Sequence, residues 1–88
     1  MNKYRRKALE AIVEKIEELE ALHAEVRELL EDVQNEEQEA FDTLPEGIQM
    51  SERGEEMEGY IETMEDVLSD MDDIDLDAMI ERLQEIIG

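Results

Sequence analysis

The chain has 88 residues, of which 28 are acidic and 8 are basic, so its formal net charge is −20. This length allows one small domain, and the lack of cysteine excludes disulfide frameworks and thiolate metal sites. No apolar run approaches the roughly 20 residues of a membrane span, and phosphate groups repel an acidic surface. We therefore expect neither nucleic acid nor a membrane as a direct partner, whereas a basic protein or a cation fits the charge.

A long first helix is predicted from about Tyr4 to Asp42. Its apolar residues recur in alternating steps of three and four, the spacing of a coiled-coil seam, and a histidine fills one slot. This predicted core or oligomer seam consists of Leu9, Ile12, Ile16, Leu19, His23, Val26, Leu30 and Val33. Such regular spacing favours an ordered helix over a disordered acidic chain.

Residues 43–51 predict a turn, because Pro45 disfavours helix in the residue before it and Gly47 suits turn geometry. Ser51 is positioned to cap a second helix over about residues 52–71. The apolar positions of that helix again alternate in steps of four and three. They are Met57, Ile61, Met64, Leu68 and Met71.

A break is expected within residues 70–77, where Asp73 or Asp75 can cap a third helix over about residues 76–87. The sequence thus predicts a single all-α domain over residues 1–88. In it, two shorter helices fold back antiparallel along the long first helix, as a helical hairpin or three-helix bundle. A coiled-coil homodimer that shares the apolar faces is an open alternative.

Four of the eight basic residues lie at the start of the chain, between Lys3 and Lys7. Cations are unfavourable at the positive end of a helix dipole, so helix propensity does not explain them. We expect them to pair with Glu81 and Glu85 of the last helix or with acidic residues of a neighbouring subunit.

The acidic residues form dense clusters on the predicted helices. Carboxylates on the first helix occur about once per 4 Å of axis, close to the one charge per ~3.4 Å of a DNA strand. Solubility needs only ~2–8 net charges in a small domain, so a partner-binding role is favoured. The predicted partner-binding residues are Glu31, Asp32, Glu36, Glu37, Glu39, Asp42, Glu52, Glu55, Glu56, Glu58, Glu62, Asp70, Asp72 and Asp73.

No catalytic, metal or cofactor site is predicted. The aspartate run around residues 70–77 does not fit a calcium loop, since both registers place a non-ligand at a required position. His23 has no second histidine or cysteine with which to hold zinc, and its place in the seam suggests a residue that fixes register. The methionines spaced by seven are read mainly as core residues, with a plastic binding groove as the alternative.

The centre of the chain resembles a family of short acidic helical proteins encoded by bacteriophages and prophages. The matching residues are EEQEAFDTLPEGIQ at 36–49 and SERGE at 51–55, with Thr43 where that family more often has asparagine. The resemblance covers about a quarter of the chain and implies a phage source and the cytoplasm of a bacterial host. It also raises the expectation of an inhibitor aimed at a host defence system.

The leading hypothesis is a phage-type, non-catalytic inhibitor that mimics DNA or RNA. Its partner would be a basic nucleic-acid-binding protein of the bacterial host, such as a defence nuclease or helicase. The alternative is a structural or adaptor module that homodimerises and whose acidity serves solubility. A third hypothesis, a chaperone or scaffold for basic proteins, differs because it leaves the partner's nucleic-acid binding intact.

Overall fold

The structure, a computed structural model, describes residues 1–88 and is all-α, with no strand. Its helices are α1 (Lys3–Asp42), α2 (Glu46–Gln49), α3 (Glu52–Asp72) and α4 (Leu76–Ile87). The three long helices occupy the regions that the sequence indicated. The short helix α2 lies inside the segment predicted as a turn.

The chain divides into two compact units. The first unit contains residues 1–25 and 74–88, and the second contains residues 26–73. The helix α1 contributes to both, so each unit combines one part of α1 with a later part of the chain.

In the second unit, α3 presents one face to the interior. Gly54, Met57 and Leu68 are buried on this face. Ile61, Met64 and Met71 are half-buried on the same face. These are the apolar positions that the heptad spacing of α3 indicated, with Gly54 added one turn earlier.

The inward face of α1 differs from the predicted seam. Half of the predicted positions are half-buried, namely Leu9, Ile16, His23 and Leu30. The other half remain exposed, at fractions between 47% and 52%, and these are Ile12, Leu19, Val26 and Val33. In their place the following residues face inward, namely Val13, Glu20, Arg27 and Gln34.

Side-chain hydrogen bonds account for this shift of one residue. Gln34 Nε2 donates to Glu65 Oε2 at 2.7 Å and to the Ile61 carbonyl oxygen at 3.3 Å. Arg27 reaches Asp72 at the end of α3. A seam chosen by hydrophobicity alone misses these positions, because the residues that contact α3 are polar.

The connection between α1 and α3 is compact. Gln49 Nε2 donates to the Phe41 carbonyl oxygen at 3.0 Å, which ties α2 back to the end of α1. A Cβ atom placed on Gly54 would lie 2.0 Å from the Gln49 carbonyl oxygen. Only glycine therefore allows the backbone of α3 to approach α2 this closely.

The two capping predictions have different outcomes. Asp75 precedes α4, and its Oδ1 accepts a hydrogen bond from the Ala78 N–H at 2.9 Å. Ser51 precedes α3 but makes no side-chain capping bond, because its hydroxyl donates to the Ile48 carbonyl oxygen instead.

In the first unit, Val13 of α1 is buried together with Leu76 and Ile80 of α4. The expected pairing of the basic start with Glu81 and Glu85 is not found. The ion pairs of the structure join Lys15 to Glu18 and Arg27 to Glu31 and Asp72. The backbone N–H of Arg5 is instead satisfied by Asn2 Oδ1 at 2.9 Å.

Candidate acidic interface

The negative charge is concentrated in one of the two units. Residues 26–73 carry 18 acidic and 2 basic side chains, a net charge of −16. Residues 1–25 and 74–88 carry 10 acidic and 6 basic side chains, a net charge of −4. The second unit is therefore the strongly acidic body, although it has only about half of the chain.

All fourteen predicted partner-binding residues belong to this acidic unit. Thirteen of them are exposed, and Glu37 is half-buried. The group on α1 is Glu31, Asp32, Glu36, Glu37, Glu39 and Asp42. The group on α3 and just after it is Glu52, Glu55, Glu56, Glu58, Glu62, Asp70, Asp72 and Asp73.

A cleft brings parts of the two groups close together. It has a volume of about 320 Å³ and lies between the end of α1 and the first half of α3. Gln38 and Phe41 of α1 line one side, and Glu58, Ile61 and Glu62 of α3 line the other. A cationic side chain entering this cleft would meet two carboxylates beside an apolar floor, which suits the aliphatic stem and charged head of lysine or arginine.

Two of the predicted contact residues, Glu31 and Asp72, form ion pairs with Arg27. Arg27 Nε and Nη2 donate to the two carboxylate oxygens of Asp72 at 2.5 and 3.1 Å, and Arg27 Nη1 donates to Glu31 Oε2 at 2.6 Å. The hydrogen bonds with Asp72, followed by those with Glu31, raise the pKa of the Arg27 guanidinium above its ordinary value. Asp72 thus links α3 to α1, whereas Glu31 pairs with Arg27 along α1 itself.

The aspartates between α3 and α4 lie at the ends of these helices. Asp73 follows the last residue of α3 as its C-cap, and its N–H donates to the Ser69 and Asp70 carbonyl oxygens. Asp75 caps α4. No group of three or more histidine, aspartate or glutamate side chains is arranged to hold a metal ion.

Two carboxyl groups meet in the less acidic unit. A hydrogen bond between the side chains of Glu20 and Asp77 raises the pKa of Glu20, and desolvation and the nearby charges of Asp77, Glu17 and Asp75 act in the same direction. Glu20 stands at an inward position of α1 that the hydrophobic pattern did not single out.

The same unit has an apolar cleft of about 450 Å³ between α1 and α4. Ile16, Met79, Leu83 and Ile86 supply its apolar lining, and Arg82 and Glu85 supply its polar lining. It contains no pair of side chains placed as nucleophile and base, since its titratable groups are one arginine and one glutamate.

The sequence reasoning missed the polar residues that join the helices, which are Glu20, Arg27 and Gln34. A signal was present, because these residues recur every seven positions in phase with Val13 and Phe41. A heptad column that begins and ends with apolar residues is compatible with an inward face even when its middle is polar.

None of the four helices combines the length and apolar character needed to cross a bilayer. No protein-family model, no curated protein and no solved structure matches this chain.

Proposed function

We propose that this protein is a non-catalytic inhibitor of phage type whose acidic unit mimics a nucleic acid. It would bind a basic nucleic-acid-binding protein of a bacterial host, in the host cytoplasm. The observation that carries the proposal is the net charge of −16 on residues 26–73, combined with the exposure of nearly all the predicted contact residues.

The acidic unit has a property that a merely soluble surface does not require. Its charge exceeds the ~2–8 net charges that keep a small domain soluble, and self-repulsion of that charge opposes folding. A basic groove that neutralises phosphates would relieve this repulsion on binding, because its lysine and arginine side chains would contact the same carboxylates.

We infer that the helices within each unit are antiparallel, an arrangement that would hold the charge in a fixed position. Arg27 contacts Asp72, while the later residue Gln34 contacts the earlier residue Glu65. In the other unit, Glu20 contacts Asp77, while the earlier residue Ile16 lines a cleft with the later residues Leu83 and Ile86. We infer from this order that α3 and α4 return along α1 and that the carboxylates are held on helical scaffolds.

The test begins with capture of host proteins from a nuclease-treated bacterial lysate on the immobilised protein, at low and high salt. Captured basic proteins are then assayed for displacement from DNA or RNA. We expect competition with nucleic acid and a steep loss of affinity with salt. A partner whose affinity is insensitive to salt and to nucleic acid would contradict mimicry.

A matched pair of variants locates the contact. Glu36→Gln, Glu39→Gln and Glu62→Gln together neutralise three exposed carboxylates of the acidic unit. The control neutralises three exposed carboxylates of the other unit, Glu10→Gln, Glu14→Gln and Glu81→Gln. We expect the first set to reduce the slope of log affinity against log salt concentration by the equivalent of up to about three ionic contacts. We expect the control set to leave this slope unchanged.

The second candidate function is a structural or adaptor module that homodimerises. The exposure of Ile12, Leu19, Val26 and Val33 on α1 favours it, because these residues recur at heptad spacing. This candidate predicts that charge reversal of the cluster between Glu31 and Asp42 leaves function intact, whereas mimicry predicts its loss.

A further inference from the structure

The outer face of α1 carries an apolar stripe that no other part of the chain covers and that is interrupted once, at Lys15. Its six residues are exposed at fractions between 47% and 59%, and they are Ile12, Leu19, Leu22, Val26, Leu29 and Val33. Four of them belong to the predicted seam, and the other two, Leu22 and Leu29, flank that seam in the sequence pattern.

The spacing of this stripe is that of a second coiled-coil seam. From Leu19 to Val33 the steps are three, four, three and four, and Ile12 lies one heptad earlier. The stripe extends for about 33 Å along the axis. Each residue of the stripe comes one position before an inward-facing residue of α1. The stripe is therefore rotated by about 100° around the helix axis from the inward face.

The two ends of α1 carry opposite charges. Lys3, Arg5, Arg6 and Lys7 belong to the first turns of α1, yet none of the ion pairs in the structure involves them. They also repel the positive end of the helix dipole. The other end of α1 carries Glu36, Glu37 and Glu39 with no basic residue in its last turn.

We propose that the stripe binds the same stripe of a second copy of this chain, with the two α1 helices antiparallel. This orientation brings the basic start of each copy to the acidic end of its partner, twice per dimer. It also makes the dipoles of the two α1 helices point in opposite directions.

One register suits both the apolar and the charged positions. It sets Leu19 against the partner's Leu22 and Ile12 against the partner's Leu29. The same register sets Arg5 against the partner's Glu36, and it sets Lys15 against the partner's Val26, where the aliphatic stem of the lysine can pack. In a parallel pair, Arg5, Lys15 and Glu36 would each meet their own copy, which is unfavourable because like charges would be opposed in the seam.

This inference rests on the homodimer given above as the second candidate function, and it adds the face, the orientation and the register. It leaves the carboxylates of α3 outside the seam, so an acidic dimer remains able to bind a basic partner.

The first test is self-association measured by sedimentation equilibrium. Val26→Gln removes an apolar residue from the stripe, while Val67→Gln makes the same change at an exposed valine of α3, outside it. We expect a dimer whose dissociation constant rises at least about ten-fold with Val26→Gln and is unchanged with Val67→Gln. A chain that stays monomeric, or equal effects of the two substitutions, would overturn the proposal.

The second test determines orientation, and it is clean because the chain has no cysteine. Ile12→Cys and Leu29→Cys are prepared separately, then oxidised alone and as an equimolar mixture. Antiparallel pairing predicts a disulfide-linked heterodimer in the mixture and no linked dimer from either variant alone. Linked homodimers from each variant alone would overturn the antiparallel orientation.

The two proposals fail in different ways. Val26→Gln keeps every carboxylate, so we expect it to retain competition with nucleic acid even where dimerisation is lost. Conversely, Glu55→Gln, Glu58→Gln and Glu62→Gln together neutralise exposed carboxylates of α3 alone, so we expect them to weaken partner binding while the dimer persists. A stripe that binds a helix of another protein while this chain remains monomeric would contradict the second-copy proposal alone.

Discussion

Arg27 of α1 and Asp72, the last residue of α3, form a bidentate ion pair. The Nε–Oδ1 distance is 2.5 Å and the Nη2–Oδ2 distance is 3.1 Å. Arg27 is one of only two cations among the 48 residues of the acidic unit. Its position between α1 and α3 gives it a structural task, because it neutralises carboxylates at the place where the two helices meet.

The Arg27–Asp72 pair should contribute a modest coupling energy. Its side chains are 35% and 54% exposed, so solvent screens the interaction. In a double-mutant cycle of Arg27→Gln and Asp72→Asn, urea unfolding should give a small favourable coupling that declines with added salt. A coupling of zero at low salt would mean that the pair is not formed in solution.

Gly54 should be intolerant of any side chain. A Cβ atom there would lie 2.0 Å from the Gln49 carbonyl oxygen, so Gly54→Ala forces α2 and α3 apart. We expect a loss of about 1–3 kcal/mol in the free energy of unfolding, as for other overpacked sites.

Gly59 provides the matched control for Gly54, since it belongs to the same helix and nothing lies within 4 Å of its virtual Cβ. Gly59→Ala should raise the free energy of unfolding by up to about 1 kcal/mol through helix propensity. Equal effects of the two alanine substitutions would contradict the close approach of α2 and α3.

Glu20 should make stability depend on pH in the acidic range. Because its pKa in the folded protein is raised, chiefly by the hydrogen bond with Asp77, the folded state holds the proton more tightly than the unfolded state. The contribution of protonated Glu20 to folding stability is therefore complete below the ordinary pKa of glutamate. It is lost as the pH rises through the raised pKa of the folded state.

The substitution Glu20→Gln tests this sign. It should increase the melting temperature at pH values above the raised pKa, where Glu20 is charged beside Asp77, and have a smaller effect near the ordinary pKa of glutamate. The exposed neighbour Glu14 gives a control, Glu14→Gln, for the general effect of removing one negative charge. Equal pH profiles for the two variants would argue against the Glu20–Asp77 contact.

Asp75 should stabilise α4 as its N-cap. Asp75→Ala removes the hydrogen bond from the Ala78 N–H and should cost about 1 kcal/mol in thermal or urea unfolding. Asp75→Asn keeps a capping oxygen and should retain most of the stability. If both variants were equally destabilised, the charge of Asp75, rather than its capping bond, would be responsible.

The sequence predicts the helical class and the positions of the three long helices because their signals are local. Pro45 ends α1 through its effect on the preceding residue, Asp75 supplies a cap, and the methionine and leucine spacing identifies the inner face of α3. Each of these depends on residues within one or two turns of each other.

The orientation of α1 could not be predicted in the same way. It carries enough apolar residues for two faces, and hydrophobicity assigned Ile12, Leu19, Val26 and Val33 to the first seam. In the structure, Arg27 and Gln34 face inward instead, because they form hydrogen bonds with Asp72 and Glu65 of α3. These partners lie more than 30 residues away in sequence. Such pairings become visible only when the helices are placed together.

The sequence predicts which residues form the candidate acidic surface but not how those residues are distributed between the two units. Counting carboxylates along the chain identified the fourteen residues. It did not indicate that all of them belong to one compact unit, since that unit is formed by one part of α1 together with α2 and α3.

The concentration of charge in residues 26–73 gives ionic strength two opposite effects on this protein. Salt screens the repulsion among 18 carboxylates, so the folded unit should become more stable as salt is added. Salt also weakens attraction to a basic partner. Folding and recognition thus favour different ionic conditions, and a bound cationic surface supplies locally the counter-charge that the isolated protein must otherwise draw from solution.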